Sequence, residues 1–188
     1  MNYKNLILLV WLSFHFVAAF ASCYDETRTG QDNFMQCRKA AQQGDSLAQY
    51  FVGQMYRKGE GVDKNREEAL NWYRKAALKE NRLAQYNLGW MYDIGDGIEK
   101  NPNEAISWYA KAARNRDRYA PFNIGALYFS GEELPRDPEN ALFWFQVALA
   151  NGNESGRKWR DKIAAQLRPE QLEKIQQRFD AWIAETRK

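Results

Sequence analysis

Histidine is almost missing from this chain: the 188 residues contain one, His15. Without a second, Ser–His and Cys–His nucleophile pairs and histidine-rich metal sites have no residues to build from. Cysteine is nearly as scarce, with only Cys23 and Cys37. There is no basic block, and the net charge is only +3, so nucleic acid is not an expected partner. The one long apolar run, residues 6–20, has 15 residues, short of the ~20 that span a bilayer. The glycine-rich "GDG" at 95–97 has neither the lysine nor the preceding strand of a phosphate-binding loop. No cofactor or metal is expected.

What is present is a globular composition, 45% hydrophobic and 27% charged. Seven tryptophans, ten tyrosines and ten phenylalanines can build a large aromatic core. The first 21 residues stand apart. "MNYK" is basic, "LILLVWLSFHFVAAF" is apolar, and Ala19 and Ala21 are small, as in a secretory signal cleaved after Ala21. Cleavage removes His15 and Lys4, leaving a net charge of +2 (3 − 1). A periplasmic or secreted protein is expected. Cys23 then has two readings. It forms a disulfide with Cys37, as an even pair in an oxidising compartment suggests. Alternatively "FASC" is a lipoprotein signal, with Phe20 in place of its preferred leucine, and Cys23 carries the lipid. Only in that second case is a membrane contact expected.

The rest of the chain repeats. Ala48, Ala84 and Ala120 lie 36 apart, as do Gly53, Gly89 and Gly125, then Tyr56, Tyr92 and Tyr128, and Trp72, Trp108 and Trp144. The period divides the chain into a tail and half repeat (22–44), three repeats (45–80, 81–116, 117–152) and a terminal segment (153–188). Each repeat reads as two helices. Asp45, Asn81 and Asp117 cap the first, which stops at Gly59, Gly95 or Gly131. Asn65, Asn101 and Asp137 cap the second, with Pro102 and Pro138 at its first position and Glu68 and Glu104 placed for a capping box. The glycines inside the first helices cost ~1 kcal/mol each against alanine. They are expected to be notches filled by Trp72, Trp108 and Trp144. Glu80 and Arg116 stand where Gly44 and Gly152 end helices, which predicts bent or less stable junctions there. Glu133 replaces the second turn glycine (Gly61, Gly97), which predicts a different third turn.

Three segments carry a family resemblance: "AQYFVGQMYRKGEGVDKNREEALNWYRKAA", "AQYNLGWMYDIGDGIEKNPNEAISWYAKAA" and "APFNIGALYFSGEELPRDPENALFWFQVAL". They resemble the Sel-1-like repeat family, relatives of tetratricopeptide repeats. Val52, Ile124 and Leu149 are the departures from its pattern. The resemblance implies an all-α, right-handed α-α superhelix of helix-turn-helix repeats and a non-catalytic role in protein–protein interaction, as an adaptor or scaffold in signalling, the envelope or host contact. A cysteine-rich subgroup linked to β-lactam binding is not matched, since no full repeat contains cysteine. Residues 153–188 depart from the pattern and read as a capping helix pair. Leu172, Ile175, Phe179, Trp182 and Ile183 share one face of the last helix, against Phe143 and Val147.

Comparison among the repeats locates a candidate surface. Positions fixed across copies report packing, whereas variable ones report surface or ligand. On the face of the first helices opposite the fixed positions lie Leu47, Phe51, Gln54 and Lys58, then Leu83, Asn87, Trp90 and Ile94, then Tyr119, Asn123, Ala126 and Ser130. This stripe suits a protein or peptide partner, with Trp90 as its anchor and the chain itself a monomer. The alternatives are a secreted hydrolase using a carboxylate pair such as Asp93 and Asp96, which requires a buried acid in a cleft, and a lipid-anchored envelope assembly factor.

Overall fold

The computed structural model describes residues 23–187; the proposed signal peptide and its cleavage site lie outside them. Among the described residues the fold is all α, with nine helices and no strand. They are α1 (Gly30–Gln42), α2 (Ser46–Lys58), α3 (Arg66–Ala77), α4 (Arg82–Ile94), α5 (Pro102–Arg114), α6 (Ala120–Ser130), α7 (Pro138–Ala150), α8 (Gly156–Ala164) and α9 (Pro169–Thr186). The described residues divide into two compact units, one up to residue 76 and one from residue 77 onward.

In the first unit, Cys23 and Cys37 form a disulfide. Cys37 is fully buried on α1 beside Phe34, Ala41, Val52 and Met55. The bridge holds Tyr24 against α2, where its ring stacks on Phe51 at 5.5 Å. A Cys23 sulfur joined to Cys37 has no valence left for a lipid thioether.

Local chemistry sets the helix ends. The Asp45 and Asn81 side chains accept from Ala48 N and Ala84 N. Gly59, Gly95 and Gly131 stop α2, α4 and α6 in the left-handed region, at φ 79°, 78° and 71°. Asp117 accepts from Tyr119 N and Ala120 N at 2.9 and 2.8 Å, but α6 starts only at Ala120. An earlier start would carry Pro121 past the first turn, where its missing N–H would break a helical bond.

Asn65, Asn101 and Asp137 cap the second helices, yet the expected capping boxes are corrected. The backbone N–H groups of these three residues donate instead to the carbonyls of Tyr56, Tyr92 and Tyr128, at 2.8, 2.9 and 2.9 Å. With that donor already used, Glu68 and Glu104 have no cap amide to accept from. Each turn is thus stitched to the helix before it.

The glycine notches face a different aromatic residue from the one expected. A Cβ on Gly53, Gly89 or Gly125 would meet the ring of Tyr73, Tyr109 or Phe145, at 2.8, 2.5 and 2.9 Å. Tyr73 and Tyr109 are fully buried. Trp72 and Trp108, one residue earlier and so ~100° around the helix, are half-buried. They lie beneath Lys75 and Lys111, at 4.2 and 3.9 Å from the ring centroids. Trp144 is buried, but against Phe143 and Trp182.

Glu80 and Arg116 keep the left-handed conformation of the glycines they replace, at φ 58° and 61°. The junctions are therefore not rebuilt around them. Glu80 has a compensation: its carboxylate accepts from Gln85 and Asn115, both at 2.9 Å. These bonds, Asn115 foremost, hold its carboxyl below the usual range. Arg116→Gly should accordingly stabilise the protein by about 0.5–1 kcal/mol, the left-handed cost less glycine's chain entropy. Urea denaturation checks this, and an unchanged or lowered midpoint would mean that no strain is stored there. The third turn does differ: Gly61 and Gly97 have φ 72° and 81°, whereas Glu133 has no positive φ.

In the second unit, α8 and α9 close the end of α7. Phe143 and Val147 are buried, as is Ile175. Leu172, Phe179 and Trp182 pack on the same core, and Trp182 meets Trp144 edge-on at 5.1 Å. The apolar face of α9 is thereby used inside the protein. Arg114 lies 4.6 Å from the Trp182 ring centroid and pairs with Glu185.

Candidate functional site

The candidate stripe falls into two parts. In the first unit its residues have partners within the chain. Phe51 stacks on Tyr24, Gln54 donates to the Tyr50 hydroxyl at 2.8 Å, and Lys58 pairs with Glu60 at 3.3 Å. In the second unit, Trp90, Ile94 and Asn123 come together with Ala126 and Ser130 on the walls of one pocket between α4 and α6, about 430 Å³ in volume. Asn87 and Tyr119 lie outside this lining. Asn87 donates to Leu83 O at 2.8 Å. Tyr119 is 51% exposed, with its ring 6.4 Å from that of Tyr86.

The repeat explains why the pocket forms here. Trp90 is replaced 36 residues later by Ala126, so a large aromatic on α4 faces a methyl group on α6. Trp90 itself is half-buried and packed against the core. It neither disappears into the protein nor stands clear of it, which is the usual state of an interface anchor.

Three lining residues were not on the predicted stripe: Tyr86, Asp93 and Leu127. Asp93 is the chemically distinctive one. Its counterparts in the first and third repeats are Arg57 and Phe129, so the acid belongs to this pocket alone. It is half-buried, and it accepts a hydrogen bond from the Tyr109 hydroxyl at 3.2 Å. Burial pushes its carboxyl above the usual range, against the lowering effects of that phenol and of Lys100. Lys100 is itself paired with Glu133 at 2.5 Å. Burial likewise raises the phenols of Tyr86 and Tyr109, which stay neutral donors at any physiological pH. A signal in the sequence existed, since Asp93 varies among copies at a position two residues before the glycine stop.

The buried-acid condition for a hydrolase is met halfway. Asp93 lines the pocket, but Asp96 is not among the lining residues, and among the described residues there Asp93 is the one carboxylate. Among the described residues no cluster of His, Cys, Asp and Glu is arranged to hold a metal. A second pocket of about 630 Å³, beside α7 and α9, is lined largely by polar residues such as Asn103, Asp137 and Arg178.

Comparison with known proteins agrees with the geometry. The family model for the Sel1 repeat matches residues 46–81, 82–117 and 119–153. A solved Sel1 repeat protein from Oxalobacter formigenes is 31% identical, with a TM-score of 0.66, over 71% of this chain and 54% of that one. A protective antigen present in uropathogenic Escherichia coli strains, displaying an SLR fold, is 29% identical, with a TM-score of 0.54, over 81% of this chain and 41% of that one. The chain thus spans about half the length of these relatives, or less. No curated protein matches it.

Proposed function

Because the chain belongs to the Sel1 repeat family, whose fold is generally a non-catalytic scaffold for protein–protein interaction, we propose that it is a periplasmic or secreted adaptor. It receives a peptide or extended segment of a partner protein at the pocket between α4 and α6. The observation that carries this reading is the half-buried Trp90 on the wall of an open pocket that the repeat pattern leaves unfilled. The apolar Ile94, on the pocket lining and 52% exposed, supports it. The export reading rests on the N-terminal sequence and on the disulfide, which suits an oxidising compartment.

Crosslinking and pull-down from envelope fractions, comparing the native protein with Trp90→Ala, tests the reading. A hot-spot tryptophan is worth ~2 kcal/mol or more, so recovery of specific partners should fall at least tenfold. Thermal denaturation must first show that the variant is folded. The same partners in the same yield would remove the pocket from the proposal. An intact mass beginning at Ser22 supports export by cleavage after Ala21, whereas a lipidated Cys23 would contradict the disulfide.

A further inference from the structure

We propose that the pocket between α4 and α6 anchors a basic side chain, arginine or lysine, of the partner segment, with the Asp93 carboxylate as its counter-ion and the Trp90 and Tyr86 rings as its walls. This rests on the adaptor reading above and states what that site selects.

The argument is one of charge complementarity in a shaped cavity. Among the described lining residues Asp93 is the one carboxylate, and it shares the lining with aromatic and aliphatic groups and the neutral polar Asn123 and Ser130. Its donor within the chain is a neutral phenol, Tyr109. The cation whose field reaches it, Lys100, is engaged by Glu133. A half-buried carboxylate so placed gains more from an incoming cation than one in open water does, because the surrounding dielectric is lower. Its raised pKa reports the same unmet demand for positive charge. A long basic side chain fits both demands of the pocket. Its methylenes lie along Leu127 and Ile94, while its head reaches the carboxylate and the faces of the rings. An acidic or purely apolar residue would leave Asp93 desolvated and without a cation, a penalty that discriminates between sequences.

The test uses the full chain and a random-sequence peptide library, with the selected peptides resynthesised for titration. The expected result is enrichment of Arg or Lys at one peptide position. Replacing that residue by citrulline or norleucine, or making Asp93→Asn in the protein, should each weaken binding about tenfold, equivalent to ~1.4 kcal/mol. The two changes together should cost little more than either alone. Asp93→Asn keeps an acceptor for Tyr109 and so preserves the fold. Peptides that lose binding with Trp90→Ala but show no basic residue and tolerate Asp93→Asn would overturn the basic anchor and leave the adaptor site standing. Peptides indifferent to Trp90→Ala, or no binders at all, would overturn both.

Discussion

Tyr109→Ala should destabilise the protein by about 3–5 kcal/mol, as removal of a large buried aromatic does. Tyr109 is fully buried, and its ring fills the notch that Gly89 leaves in α4. The loss compounds. Deleting the ring opens a void against a glycine, which has no side chain to relax into it. Deleting the hydroxyl strips Asp93 of its donor inside a pocket that already disfavours its charge. Tyr109→Phe separates the two contributions: the ring stays, and the cost should drop to about 1 kcal/mol. Urea denaturation of both variants measures this. Equal losses for Phe and Ala would show that the hydroxyl, not the notch, is what matters. The reciprocal change, Gly89→Ala, sets a Cβ 2.5 Å from the same ring. It should therefore destabilise despite the better helix propensity of alanine.

The second large effect lies in the first unit. Replacing Cys23 by Ser and Cys37 by Ala should cost about 3 kcal/mol, the loop-entropy value for a bridge closing ~15 residues; here the separation is 14. Cys37→Ala keeps a small apolar group among Phe34, Val52 and Met55, so the loss reports the crosslink more than the packing. Hydrogen exchange of the α1 and α2 amides under oxidising and reducing conditions reads it directly. Protection unaffected by reductant would mean that the tail is held without the bond. Phe51 should also become more accessible, because the bridge keeps Tyr24 over its ring.

Most of the architecture was legible because the 36-residue period repeats its own punctuation. Asp45, Asn81, Gly59, Gly95, Pro102 and Pro138 act through local backbone chemistry, and local chemistry is written in adjacent residues. Tertiary geometry broke the expectations that failed. In every copy an aromatic residue follows the tryptophan, and only the packed helices show that the second of the two meets the glycine. The tyrosine carbonyls that take the cap amides belong to the previous helix, so the capping boxes looked complete on paper. The pocket was half legible. Variation among copies pointed to Trp90, Ile94 and Asn123. Asp93 sits near a helix end, where solvation is the ordinary explanation, and its burial depends on neighbours from two other helices.

The polar ties that link successive repeats have a kinetic consequence. In the second unit, Asn115 reaches Glu80 across 35 residues, Asn151 reaches the Asp117 carbonyl across 34, and Lys100 reaches Glu133 across 33. Each tie closes a loop of about one period. Contact order therefore stays low however many repeats are joined, and such topologies fold quickly. A chain that reaches its folding compartment N-terminus first need wait only for the next repeat before the last one can lock, so assembly can start from that end.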